Sequence, residues 1–268
     1  MSTVAVITGG SSGIGKSTAL SLLNKGCTVY ELSRRESEIP GINHISADIT
    51  DENAVNDAIN TVISREGKID ILINNAGFGI SGAIEFTTTE NAKRLFDVNF
   101  FGMVNLNRAV IPHMRNAGGG RILNLSSVAA LAPIPFQCYY SATKAAVNTY
   151  TMALKNEVKP FGISVCAVMP GDIKTGFTKA REKVIEGDDI YGGKIAKSVS
   201  VMEKDEENGM VPEKAAEFIS KIALKKKVKP IYTIGFFYKC AVVLMKLLPF
   251  GLVNRIVGVM YKSNGLFH

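Results

Sequence analysis

The chain has 268 residues, 46% of them hydrophobic and 21% charged, a globular composition that is long for one ordinary domain but normal for an α/β fold around a single sheet. Its four cysteines (Cys27, Cys138, Cys166, Cys240) are far apart and form no CxxC pair, and the N-terminus runs straight into the apolar Val4-Ala5-Val6-Ile7. That argues against a zinc site, a disulfide framework and a secretory signal, and points to a reducing, cytoplasmic setting. The net charge is +7, yet no Asp or Glu occurs between Phe218 and His268, where nine Lys and Arg lie; subtracting those nine from +7 leaves −2 for the rest.

In chain order, short β-rich runs alternate with helical stretches. Val4–Ile7 reads as a strand and Gly13–Lys25 as a helix. Thr28–Leu32 and Ile42–Ala47 are strands two and three. Asp51–Arg65 is a helix capped by Asp51, and Ile69–Ile73 is strand four. One long helix is expected from Thr89 to Met114, then strand five at Arg121–Leu125. A helix at Tyr140–Val158 precedes strand six at Ile163–Val168. Residues 176–211 are charged, glycine-containing and weakly periodic, as lids often are; disorder is the alternative. Pro212–Lys226 is a helix with proline in its first turn, and Val228–Ile234 a seventh strand. Continuous apolar strands separated by helices indicate a parallel sheet covered on both faces, hence a doubly wound Rossmann-like domain over residues 1–235. Ligands in such sheets sit beyond the carboxyl ends of the strands.

The loop after strand one reads Thr8-Gly9-Gly10-Ser11-Ser12-Gly13-Ile14-Gly15. Glycines there let the backbone approach a pyrophosphate, and the helix N-terminus offers it free N–H groups and partial positive charge. The bland alternative is a tight strand–helix turn. The spacing is TGxxxGxG rather than GxGxxG. Further on come Asn74-Asn75-Ala76-Gly77, Asp97-Val98-Asn99, Ser127, Tyr140-Ser141-Ala142-Thr143-Lys144, then Pro170-Gly171 and Thr175.

In order and spacing these motifs resemble the short-chain dehydrogenase/reductase family over about residues 3–175. The resemblance implies a nicotinamide-dependent oxidoreductase, commonly a homodimer or homotetramer. It implies a cofactor site made from Gly9, Ser11, Ser12, Gly13, Ile14 and Gly15, from Ser33 and Arg34, from Asp48 and Ile49, and from Asn75, Ala76 and Gly77. Tyr140, Lys144, Pro170, Gly171, Ile173 and Thr175 would complete it at the nicotinamide end. Ser33 sits where NAD-using relatives usually place Asp, and Arg34 follows, as in many NADP-users. A guanidinium suits a 2′-phosphate, so NADP(H) is expected over NAD(H), although NADP-preferring relatives often carry a basic residue where this chain has Ser12. The alternative for Arg34 and Arg35 is a pair of solvated charges. Glu31 is a second candidate for the ribose. Asp48 resembles the family's adenine-contacting acid, or else caps the following helix.

Carbonyl reduction needs a proton at oxygen, and tyrosine supplies it best when a cation lowers its pKa from about 10. Tyr140 and Lys144 are four apart, on one helix face. The i+4 partner of Tyr139 is Thr143, which cannot do this work. Ser127, 13 residues before Tyr140, is placed as the family places its oxyanion-stabilising serine, with Ser126 the poorer fit. By resemblance Asn99 positions a relay water beside Lys144; otherwise it satisfies helix backbone. His44, His113 and His268 lack a partner acid at a telling spacing and read as structural or surface. No metal cluster and no nucleic-acid motif is visible. The competing class is a catalytically silent NADP-binding sensor or scaffold, which would have no use for an intact Asn-Ser-Tyr-Lys set.

Residues 236–268 extend beyond this pattern. Phe236–Leu248 and Phe250–Tyr261 are apolar, broken at Pro249-Phe250-Gly251, and neither half approaches the ~20 residues that span a bilayer. Two amphipathic helices are expected. They either roof the substrate pocket or attach residues 236–262 peripherally to an anionic membrane, and the two roles are compatible. With the apolar stretch Ala129–Phe136, they suggest a lipophilic substrate: a hydroxysteroid first, a retinoid or keto-lipid as alternatives.

Overall fold

The computed structural model describes residues 2–263; Met1 and residues 264–268, the end of the expected extension with His268, lie outside the described residues. Seven strands form one parallel sheet: Val4–Thr8 (β1), Thr28–Ser33 (β2), Asn43–Ser46 (β3), Ile71–Asn74 (β4), Gly120–Leu125 (β5), Ile163–Met169 (β6) and Ile231–Thr233 (β7). Their order is β3-β2-β1-β4-β5-β6-β7, so the winding reverses between β1 and β4. The loops after those two strands therefore flank the crevice where a doubly wound sheet binds its ligand.

Both faces of the sheet are covered, which is why the central strands β1, β4 and β6 are largely apolar rather than alternating, while the edge strand β3 (Asn43–Ser46) is polar and partly exposed. On one face Ala5, Ile7 and Ile71 pack with Ala19 and Leu22 of α1 (Gly13–Leu23) and with Ile219 and Ile222 of a later helix (Pro212–Ala223). On the other, Val4, Val6 and Leu72 pack with Val55, Ile59 and Val62 of α2 (Glu52–Glu66), and with Leu106, Val110 and Leu154 from the helices that follow. Each of the buried Val, Leu and Ile side chains contributes roughly 1.5–3 kcal/mol by leaving water. The Asp51 carboxylate accepts the N–H groups of Asn53 (2.8 Å) and Ala54 (3.2 Å), capping α2 as expected, and Gly67 stops the helix at φ 75°.

The structure departs from the sequence reading in two places. The helix expected from Thr89 to Met114 is α3 (Thr89–Phe96) and α4 (Gly102–Asn116), joined by one π turn over Asp97–Phe101. Residues 176–211 are ordered: a helical turn at Phe177–Ala180, a strand Glu182–Lys183 paired in parallel with Ile80–Ser81, and a full helix, Lys194–Glu207. That helix buries Ile195, Val199 and Met202, a narrow apolar stripe in an otherwise charged sequence. In chain order, α5 is Cys138–Val158, α6 Lys194–Glu207 and α7 Pro212–Ala223, followed by α8 (Phe236–Leu247) and α9 (Phe250–Ser263), which break at Pro249 as anticipated.

Candidate active site

The loop after β1 turns through Gly9 (φ 66°) and Gly13 (φ 52°), backbone conformations that glycine adopts without strain. Thr8 ties this loop to the one after β4: its hydroxyl accepts the N–H groups of Asn75 and Ala76, both at 3.0 Å. The Asn75 amide donates back to the carbonyls of Thr8 (3.0 Å) and Gly9 (3.3 Å). Ser12 precedes α1 in an extended conformation and makes no side-chain cap, so its hydroxyl does not satisfy the first N–H groups of that helix. Such an N-terminus is ready for an anion. Gly15 stands one layer back from the cavity wall. A Cβ there would lie 2.2 Å from the Gly9 carbonyl oxygen, so this glycine lets α1 pack against the loop.

At the far end of β2, Arg34 is largely exposed and its guanidinium lies 3.8 Å from the Asp48 carboxylate. Burial alone would raise the Asp48 carboxyl. Hydrogen bonds from the Thr50 N–H (2.9 Å) and hydroxyl (2.8 Å), with Arg34 beside them, outweigh it and hold the acid below its ordinary range. Asp48 thus serves its own turn and also faces the cavity. Glu31 does not face it. Glu31 is fully buried, and one of its oxygens pairs with His44 Nδ1 at 2.5 Å and accepts the Ser33 hydroxyl at 3.0 Å. Glu31 and His44 stand opposite each other in the β2–β3 register, a partnership across strands that spacing along the chain does not display. The ribose role considered for Glu31 is therefore corrected, and His44 has a partner acid after all.

Tyr140 and Lys144 share one face of α5, with the Lys144 Nζ 5.6 Å from the Tyr140 ring centre. Lys144 Nζ donates to the Leu125 carbonyl at 2.9 Å, and burial lowers its pKa to about 8. Burial pushes the Tyr140 phenol up to about 12. A hydrogen bond with Ser127 works in the opposite direction, while the charges of Glu206 and Asp172 raise it and Arg181 lowers it. The sequence reading expected the lysine cation to lower this phenol; desolvation dominates instead, which keeps Tyr140 protonated and able to donate. Ser126 is committed elsewhere, its hydroxyl donating to the Lys144 carbonyl at 2.9 Å, which leaves Ser127 as the serine beside Tyr140.

Asn99 also stands behind the cavity wall. It sits in the π turn, and its amide acts as a surrogate backbone: Oδ1 accepts the Phe78 N–H (3.0 Å), and Nδ2 donates to the Phe78 carbonyl (2.9 Å) and the Thr143 hydroxyl (3.3 Å). It joins the loop after β4 to the helix that carries Tyr140 and Lys144. A Cβ on Gly77 would meet Asn99 Oδ1 at 2.9 Å, which explains a glycine there.

The remaining expected residues line one cavity of about 1260 Å³. It runs from Gly9 and Arg34, past Asn75, Ser127, Tyr140 and Lys144, to Pro170, Gly171, Ile173 and Thr175. Its other walls include Phe78, Phe177 and Glu206, which no sequence motif marks, together with Ala129, Ala132 and Ile134 of the expected apolar stretch and, from the expected extension, Tyr238 and Met245 of α8, Leu248 just after it and Met260 of α9. The extension is therefore a roof. It is latched where the Tyr238 hydroxyl donates to Asp172, in the loop after β6. A Cβ on Gly171 would fall 2.1 Å from the Tyr238 ring, so glycine makes the latch fit. Burial lifts the Asp172 carboxyl to about 6, against that hydrogen bond. An ion pair, Arg181 with Glu206, holds the segment after β6 to α6.

A glycine loop at an uncapped helix N-terminus, continuous along one cavity with a Ser-Tyr-Lys group whose lysine is buried, defines a nicotinamide-dependent oxidoreductase of the doubly wound class. The short chain dehydrogenase family model matches residues 3–185, and the chain belongs to that family. It is 42% identical over 242 residues to a 3-ketodihydrosphingosine reductase of Bacteroides thetaiotaomicron, covering 87% of this chain and 90% of that one. A short-chain dehydrogenase from Streptomyces avermitilis superposes with a TM-score of 0.81 at 31% identity, covering 95% and 98% of the two chains. A 3-ketoacyl-(acyl-carrier-protein) reductase from Brucella melitensis, complexed with NADH, superposes at 0.73 with 27% identity, over 87% and 96%.

Proposed function

We propose that this protein reduces the ketone of a long-chain lipid with NADPH, Tyr140 giving the proton to the carbonyl oxygen. The observation that carries the proposal is the continuity of one cavity from the glycine loop, past Ser127, Tyr140 and Lys144, to an apolar roof built by α8 and α9.

When bound, the cofactor supplies the hydride. The chain's own residues do the rest. Ser127 hydrogen-bonds the carbonyl oxygen and stabilises the charge that develops there. Tyr140, kept neutral by burial, donates its proton to that oxygen. Lys144 holds the nicotinamide ribose and, as a cation, stabilises the phenolate left behind. Asn99 is a positioning residue that holds α5 against the loop after β4, and by resemblance to the family it would order a relay water beside Lys144. The N-terminus of α1 with Ser11, Ser12, Gly13 and Ile14 takes the pyrophosphate, Asp48 and Ile49 the adenine, and Ser33 and Arg34 the 2′-phosphate. Arg34 supports NADP over NAD because it is exposed on the cavity wall and its acidic neighbour is 3.8 Å away, a distance that leaves its donors available.

Among the lipophilic candidates a keto-lipid is favoured over a hydroxysteroid. A relative covering most of this chain is named a 3-ketodihydrosphingosine reductase, and most of the roof's lining is aliphatic, with Val242, Leu244, Met245, Leu248 and Met260 among it. The working form is a homodimer or homotetramer, as the family commonly is. The test follows NADPH absorbance with 3-ketodihydrosphingosine, a steroid ketone and a sugar ketone. Fastest consumption with the sphingoid ketone is expected. Equal efficiency with the sugar ketone would refute the lipid assignment.

A further inference from the structure

The inner face of the roof is accounted for by the cavity, but its outer face is not. Along α8, Phe236, Val243 and Leu247 are 83, 59 and 77% exposed. Along α9, Phe250 is 95% exposed at the first turn, and Leu252, Ile256 and Val259, four and three residues apart on one face, are exposed as well. Side chains this apolar do not stand together in water without a partner. Lys246 and Arg255 lie among them, and no acidic residue occurs anywhere from Phe218 to the end of the chain. No helix among the described residues is long and apolar enough to cross a membrane, so these helices would lie along an interface. The cavity opens on the same face, because Phe237, Leu244 and Ile256 both line it and are exposed.

We infer that the outer face of α8 and α9 is a docking surface for an anionic lipid bilayer, against which the cavity mouth is pressed. The charge decides the occupant: a neutral bilayer would satisfy the phenylalanines and leucines alone, whereas acid-free helices carrying Lys and Arg complement phospholipid headgroups. The route by which substrate passes from membrane to cavity rests on the lipid-ketone proposal; the docking itself does not.

The full-length protein is floated with vesicles of phosphatidylcholine alone and of phosphatidylcholine mixed with phosphatidylglycerol. Binding to the anionic vesicles is expected to be on the order of tenfold stronger or more, and to weaken with salt. The pairs Leu247→Ser with Phe250→Ser, and Lys246→Glu with Arg255→Glu, should each lose most of it. None of these four residues lines the cavity, so the melting temperature and turnover of a short soluble ketone should hold. Equal flotation with both vesicle types, or none with either, would overturn the inference. So would a dimer that the Leu247→Ser/Phe250→Ser variant splits without any vesicle binding, since a second copy would then be the occupant. The salt dependence of the unmodified protein keeps the test decisive if a variant fails to fold. Vesicle binding without lipid-ketone turnover would uphold the surface and remove the substrate proposal; turnover in detergent without vesicle binding would do the reverse.

Discussion

The sheet and the roof are built on opposite principles. Around Tyr140 and Lys144, buried polar groups are tied by hydrogen bonds: Ser126 to the Lys144 carbonyl, Lys144 to Leu125, Asn99 to Phe78 and Thr143. Among the described residues of α8 and α9 the buried hydrophobics are Val242, Val253 and Val257, the polar latch is Tyr238 on Asp172, and several large apolar side chains face outward. A tied, buried site holds reacting groups in one geometry, and that specifies a reaction. A lightly anchored apolar cover accepts a range of chains, and that specifies a class of substrate.

Four experiments can break or sharpen this contrast. The largest effect belongs to the sheet side. Tyr140→Phe should lower kcat by about 10²–10⁴-fold while NADPH binding, followed by fluorescence, barely moves. Retained activity would remove Tyr140 from the chemistry and with it the division between the two regions. Arg34→Asp should shift the ratio of NADPH to NADH efficiencies toward NADH by roughly ten- to a hundredfold, the worth of a charge-assisted hydrogen bond; an unchanged ratio would show Arg34 to be a solvated charge.

The pH dependence comes next. Lys144 has its pKa lowered to about 8 and Tyr140 raised to about 12. Below about 8 the lysine is a cation and the phenol a proton donor, the state that reduction requires. As pH rises through that value the lysine loses its charge first. The kcat/KM for ketone reduction should therefore fall above about pH 8 by roughly tenfold per unit, long before the phenol ionises. A profile flat into the tyrosine range would contradict the assignment. The same shift bears on stability. The unfolded chain binds the lysine proton more tightly, so Lys144 destabilises the fold most below its folded pKa, and that cost shrinks as pH rises from there toward the ordinary lysine value. The smallest effect lies on the roof. Tyr238→Phe removes the latch and should raise KM for a long-chain ketone severalfold, less than the full worth of a hydrogen bond to an acid because the apolar packing of the roof remains, with little change for a short one.

The same contrast governs what the sequence discloses. Strands such as Val4–Thr8 and the loop from Gly9 to Gly15 are local features, because burial on both faces and a tight turn each demand particular residues in a row. The Tyr140–Lys144 pair is legible for the same reason, since one helix turn brings the two together. Asn99 was legible as a motif but not as a geometry: the π turn that carries it is one extra residue in a helix whose periodicity otherwise runs through. The pairing of Glu31 with His44, and of Tyr238 with Asp172, joins residues 13 and 66 positions apart; no spacing rule announces such partners. Helix α6 escaped because a stripe of three large apolar residues is too narrow to stand out among its charges. The sequence leaves the roof open between pocket cover and membrane face because one amphipathic pattern suits either role; the structure places Met245 in the cavity wall and Leu247 on the exposed side of α8.

The central proposal is that an apolar roof reads chain length above a fixed proton-donating site. The measurement that tests it directly is kcat/KM with NADPH for a series of ketones differing only in the length of their alkyl chain. It should climb with each added methylene, by up to roughly fourfold per CH₂ if each is fully buried, until the cavity is filled, while Tyr140→Phe abolishes the whole series. A series flat with chain length would contradict it.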